Sequence, residues 1–216
     1  MLSYDPLYNE KKVFAMVKMD LLLDFDDIQQ QRKHVRRQRR QLNKYQLSKA
    51  EHLTSIRLLN HPKVKFKQHI GIYLDAFGEV PTKKLMMMLF RQKKSVYLPL
   101  ICPMNQHLRW QKISLTQWRN QRFALHPLGM QQAMHHRGCL VTDLDTVILP
   151  LVLFDTKGHR VGMGGGFYDR TLACAPHQPY RIGLAHDFQK TTRIMQTQSW
   201  DQSLHSIITP SQTLFF

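Results

Sequence analysis

The sequence predicts an α/β fold: one three-layer domain with a mostly parallel or mixed central sheet flanked by helices. Two observations support this. Beyond Pro62, short apolar segments suited to strands alternate with segments suited to helices, the order that crossover connections produce. One of them, residues 146–154 (TVILPLVLF), is apolar almost throughout, as in a strand buried on both faces. At 216 residues and 43% hydrophobic content, the chain can bury one sizeable core but is short for two.

Taken in order, residues 1–27 stand apart. They carry six acids (Asp5, Glu10, Asp20, Asp24, Asp26, Asp27) against three lysines (Lys11, Lys12, Lys18), whereas the whole chain has a net charge of +16. They read as an N-terminal appendage to a domain spanning residues 28–216. Residues 28–59 are predicted to form one long helix, because Ile28, Val35 and Leu42 recur at seven-residue spacing along one stripe. Its polar side holds Arg32, Lys33, Arg36, Arg37, Arg39, Arg40 and Lys44. Arg32, Arg36 and Arg39 or Arg40 share one face, which would suit either phosphate binding or plain solvation.

Next come a strand over residues 69–74 (HIGIYL) and a loop over residues 78–81. Thr82 is placed to cap a helix running to Phe90. Strands follow over residues 95–101, more weakly 109–113, then 146–154 and 181–185. A helix is expected from Phe167 to Ala175.

Other features exclude function classes. The three cysteines are odd in number and form no CxxC pair, so a disulfide framework and a structural zinc site are not expected. His135 and His136 are adjacent, so their side chains would diverge on a helix. No apolar run is long enough to span a bilayer. A cytoplasmic protein without a membrane partner is expected. The positive charge attracts anions, among them nucleic acid and phosphorylated small molecules. A nucleic-acid role for the Arg32–Lys44 stretch lacks interleaved aromatics and any recognised binding signature.

The chemistry concentrates in RVGMGGGFYDR, residues 160–170. Gly162, Gly164, Gly165 and Gly166 place four glycines in five positions. Such backbone approaches a ligand closely and can turn successive N–H groups toward an anion. Arg160 adds a charged fork for phosphate oxygens. Asp169, just beyond the nest, suits Mg²⁺, which takes few carboxylates and completes its shell with water and phosphate. Neither GxGxxG nor the P-loop pattern is matched, because Phe167 stands where a third glycine belongs. A purely structural loop is the competing reading.

The stretch LPLVLFDTKGHRVGMGGGFYDR resembles the signature of the 5-formyltetrahydrofolate cyclo-ligase (methenyltetrahydrofolate synthetase) family. The match runs through Pro150, Phe154, Asp155, Gly158, Arg160, Val161, Gly162, Gly164, Gly166, Phe167, Tyr168, Asp169 and Arg170. The resemblance covers about residues 30–210. It implies a Rossmann-like domain resembling the NagB/RpiA/CoA-transferase-like architecture. It also implies ATP- and Mg²⁺-dependent closure of 5-formyltetrahydrofolate to 5,10-methenyltetrahydrofolate, with ADP and phosphate released. By that resemblance ATP would meet Arg32, Lys33, Arg36, Arg160, Val161, Gly162, Met163, Gly164, Gly165, Gly166, Phe167 and Tyr168. Folate, with or without a polyglutamate tail, would meet Leu74, Glu79 and the loop from Met163 to Phe167. Asp169 and Asp201 would hold the metal, and Arg160, Phe167 and Tyr168 would serve catalysis. A monomer is expected, with no nucleic acid as functional partner.

Overall fold

The computed structural model describes residues 28–134 and 138–216. The appendage at residues 1–27 and the pair His135-His136 lie outside the described residues. The predicted long helix is two helices, α1 (Ile28–Gln41) and α2 (Lys44–Asn60). The break has a local cause. The Asn43 side chain accepts from the Gln46 amide, and the Gln46 side chain accepts from the Asn43 amide, both at 2.9 Å. This reciprocal cap starts a new helix where the apolar stripe alone would continue the old one.

After a short helix α3 (Pro62–Lys65), the chain enters β1 (His69–Gly71), helix α4 (Lys83–Arg91), and the antiparallel pair β2 (Ser95–Ile101) and β3 (Leu108–Ile113). A helical turn α5 (Leu115–Arg119) leads to a small hairpin of β4 (Phe123–Leu125) and β5 (Gln131–Ala133). The predicted strand 146–154 is divided. Residues Thr146–Pro150 form β6 in the main sheet, while Leu153–Phe154 form β7, paired with β8 (Arg160–Val161). Pro150 ends the ladder. Beyond it, Val152, Leu153, Val35 and Met195 make an apolar cluster of their own beneath α1. The run is apolar throughout because its two halves are buried against different partners. The helix expected to reach Ala175 is α6 (Phe167–Ala173), and it is followed by β9 (Tyr180–Leu184), β10 (Ser206–Ile208) and β11 (Thr213–Phe215).

Among the described residues the main sheet has seven strands in the order β11-β10-β9-β6-β1-β2-β3. The five inner strands are parallel, and β3 and β11 are antiparallel edges. Alternation along β6 divides the core: Ile148 faces a layer with α2 and α4 (Leu58, Leu85, Leu89), and Val147 and Leu149 face the opposite layer with Leu172 of α6. Each fully buried aliphatic side chain of this kind contributes about 2 kcal/mol. The three-layer expectation therefore holds, with a mixed sheet.

The strand order fixes where a ligand can sit. From β1 the chain moves outward to β2, then returns to place β6 on the other flank of β1. In an open parallel sheet, that reversal leaves a crevice at the carboxyl ends of the two strands. Here those ends lead into residues 72–79 and into Pro150-Leu151.

Candidate active site

The crevice opens into a cleft of about 1570 Å³. That exceeds the roughly 300–1,000 Å³ of a pocket for one small ligand, so two can be held together. Arg32 and Arg36 of α1 form one side, and Leu74, Phe77 and Glu79 after β1 form the other. The glycine-rich segment runs between them. Trp200 and Asp201, and Leu128 and Met130 of the β4–β5 hairpin, complete the lining.

Of the residues given a ligand role in the sequence, Leu74, Glu79, Arg32, Arg36, Asp201 and every position from Arg160 to Tyr168, with Asp169, line this cleft. Lys33 does not. It is exposed and turned away from Arg32 by the 100° helical step. Arg39 also departs from the shared basic face. It is 2% exposed, and its guanidinium points inward to the Leu151 carbonyl and toward Glu79.

The glycine loop is held open by its neighbours. Arg32 Nε donates to the Gly162 carbonyl at 3.1 Å, joining α1 to the loop. Arg170 Nη2 donates to the Gly165 carbonyl at 2.7 Å and its guanidinium lies over the Phe167 ring. Gly164 and Gly166 have φ of +102° and +64°, a region that side chains rarely adopt, and Gly166 sets the start of α6. A side chain at Gly164 would meet nothing within 4 Å, so the space over that backbone is free for a ligand.

Arg160 is nearly buried, with its side chain 3% exposed. Its Nη2 donates to Asp169 Oδ1 at 2.6 Å, and that oxygen also accepts from the Gln202 amide at 3.2 Å. Burial lowers the proton affinity of the guanidinium, while Asp169, Tyr168 and Asp201 raise it. Tyr168 is wedged between the Arg160 guanidinium (5.9 Å) and Trp110 (6.5 Å), and burial pushes its hydroxyl well up. Part of its role is therefore packing. Asp201 Oδ2 accepts from the Gln198 amide at 2.8 Å.

Glu79 lies at the floor of the opposite half. Burial raises its carboxyl to about 7; Arg39 and the amide of Ala76 pull it down, and Asp75 pushes it up. No group of three or more His, Cys, Asp or Glu side chains gathers to hold a metal among the described residues. Asp169 and Asp201 both line the cleft, and a pair of carboxylates is the kind of donor set that holds Mg²⁺ together with phosphate and water rather than in a cage built by protein alone.

Features near the cleft that were not read from the sequence include the β4–β5 hairpin and the buried Arg39, and, farther off, the structural use of His205. The hairpin strands are only three residues each, below what alternation reveals. Arg39 lies four residues after the buried Val35, on the side of α1 that faces the protein, although its remote partners are not reported by any spacing on the helix. His205 lies outside the cleft; its Nδ1 accepts from the Arg181 amide at 3.0 Å.

Residues 26–210 match the model of a family described as the 5-formyltetrahydrofolate cyclo-ligase family. The chain is 34% identical over 185 residues to a 5-formyltetrahydrofolate cyclo-ligase of Haemophilus influenzae, covering 83% of this chain and 96% of that one. It is 33% identical over 190 residues to the protein of that name from Escherichia coli K12, covering 82% and 97%. The solved structure of Aquifex aeolicus 5,10-methenyltetrahydrofolate synthetase superposes with a TM-score of 0.73 at 22% identity, over 87% of this chain and 91% of the other, and so shares the fold.

Proposed function

The chain belongs to the 5-formyltetrahydrofolate cyclo-ligase family, and from that premise we propose that it converts 5-formyltetrahydrofolate and ATP to 5,10-methenyltetrahydrofolate, ADP and phosphate. The observation that carries this reading is a single cleft with a basic, glycine-rich half and a half floored by a buried carboxyl.

The chemistry assigns a task to each half. The formyl oxygen is a poor leaving group. Its attack on the γ-phosphorus of ATP releases ADP and makes it a good one. N10 then attacks the formyl carbon and loses its proton, the C–O bond breaks, and phosphate departs as the ring closes. Phosphoryl transfer rests on positioning and charge stabilisation more than on a protein nucleophile. Arg32, Arg36 and Arg160 supply charge, and the amides of the Gly162–Gly166 loop supply donors. Asp169 and Asp201 would hold Mg²⁺, which supplies charge neutralisation on the phosphates. Glu79 orients the pterin–N10 end and, with a carboxyl near 7, is matched to accept the N10 proton at neutral pH. The anionic substrates account for the positive charge of the cleft; Lys33, Arg37 and Arg40 remain surface charge.

Purified protein mixed with 5-formyltetrahydrofolate, Mg²⁺ and ATP should produce methenyl absorbance in the near ultraviolet. Absence of an ATP-dependent product would sink the reading. The pH profile gives a second expectation. As pH falls through about 7, Glu79 takes up a proton and can no longer accept one, so kcat/KM for the folate drops on the acid side. Glu79→Gln should lower kcat/KM at least about tenfold at pH 8 and erase that limb. An unchanged limb in the variant would assign it to another group.

A further inference from the structure

We propose that Arg39 is a positioning residue: it links the phosphate-binding helix to the folate-binding loop, so that nucleotide and folate bind cooperatively. The inference rests on the function proposed above.

Arg39 sits on α1 seven residues beyond Arg32 and three beyond Arg36, both of which line the nucleotide half. Its own side chain points away from that half. One nitrogen, Nη2, donates to the Leu151 carbonyl, where the chain leaves β6 at the head of the crevice. Nη1 lies 4.0 Å from Glu79 Oε1, and neither Nη1 nor Nε has a hydrogen-bond partner. Buried guanidinium nitrogens are costly when unsatisfied. A small approach of the loop would turn the 4.0 Å contact with Glu79 into a hydrogen bond.

The loop is clamped to that helix from both sides. A Cβ on Gly78 would lie 2.7 Å from the Arg39 carbonyl oxygen, so the loop backbone is seated directly on α1. From the far side, His186 Nε2 lies 3.1 Å from the Gly78 carbonyl, which can only accept, so His186 donates there. Burial lowers His186 to about 4, and it is neutral at working pH. A shift of α1 on phosphate binding is therefore passed to Glu79 through packed backbone and one cation. Differential contact of this kind is what coupling between two sites requires, and the coupling is reciprocal.

The charged and titratable groups around Glu79 are few. Arg39 comes from α1, with Arg36 beside it; Tyr73 and Asp75 follow β1; Tyr168 is on α6; and His186 follows β9. Arg39 alone among them favours the ionised carboxylate. Removing it raises the pH at which Glu79 ionises.

Calorimetric titration with ADP, with and without 5-formyltetrahydrofolate, tests the link without turnover. Wild-type protein should bind ADP at least about fivefold tighter when folate is present, the lower end of ordinary coupling. Arg39→Met should lose that factor, and its acid limb for folate should move to higher pH. Arg39→Lys should restore part of both. Glu79→Gln keeps the buried cation and should likewise lose the coupling, which covers an Arg39 variant that fails to fold. Independent binding in the wild type, or full coupling in folded Arg39→Met or in Glu79→Gln, overturns the proposal. Failure of the methenyl assay with coupling intact would instead strike the reaction and leave the link standing.

Discussion

Replacing Arg160 by alanine should lower kcat by about 100-fold or more, the loss typical when one donor to developing charge is removed. The side chain lies against the glycine loop with almost no exposure and is held by Asp169 at 2.6 Å. Its removal takes a cation from the proposed site of phosphoryl transfer. It also leaves Asp169, a metal-binding candidate, without its counter-charge. Both changes oppose the transition state more than the ground state, so kcat should fall more than the substrate KM rises. Arg160→Lys keeps the charge without the planar fork and should recover only part. Melting curves of both variants separate lost chemistry from lost fold. Wild-type kcat in a folded Arg160→Ala would reduce the loop to a structural turn.

Asp155→Ala should produce the largest loss of stability, on the order of 3 kcal/mol, because the amides of Lys157, His159 and Met195, the last of them buried, lose their shared acceptor. Asp155 is fully buried. Its carboxylate accepts from the amides of Lys157 (2.9 Å), His159 (3.0 Å) and Met195 (2.9 Å), and from His159 Nδ1 at 2.8 Å. One residue thus ties the turn before Arg160 to the segment leading to Asp201. Burial alone would raise its carboxyl, but the hydrogen bonds from Met195, Lys157 and His159 outweigh it and hold the carboxyl below the ordinary 3.8. A depressed folded-state value means stabilisation that is present above about 4 and lost as pH falls through the folded value. Thermal melts from neutral to acid pH should therefore fall more steeply in the wild type than in Asp155→Asn, which keeps only the contribution of other carboxylates such as Asp145. A melting temperature within about 2 °C of wild type for Asp155→Ala would show that the tie is dispensable.

What was legible in the sequence follows from the range of each signal. The glycine spacing after Arg160 and the pair Arg32–Arg36 are local patterns, and the residues they name do meet in one cleft. The apolar run 146–154 was legible as buried but not as two strands, since hydrophobicity does not distinguish burial in a sheet from burial under a helix. The break at Asn43 was written in Asn43 and Gln46, but the seven-residue stripe spoke more loudly. Arg39 or Arg40 was placed by helical face beside Arg32 and Arg36, on a side suited to phosphate or to solvent. The partners of Arg39, Leu151 and Glu79, come from remote parts of the chain, and no spacing on α1 reports them. Strands β10 and β11 are three residues each, and their pairing with β9 supplies what their sequence does not.

The bond from Arg32 to Gly162 joins positions 130 residues apart. The helix that makes it rests on a small apolar cluster separate from both layers of the sheet core. Closing so long a loop carries an entropic penalty that grows with separation, and contacts of this kind slow folding. The sheet can be complete while the nucleotide half of the cleft is still open. The nucleotide half of the proposed site thus depends on a contact that no ladder of the sheet supplies. Release of one helix, with the sheet untouched, is enough to remove it.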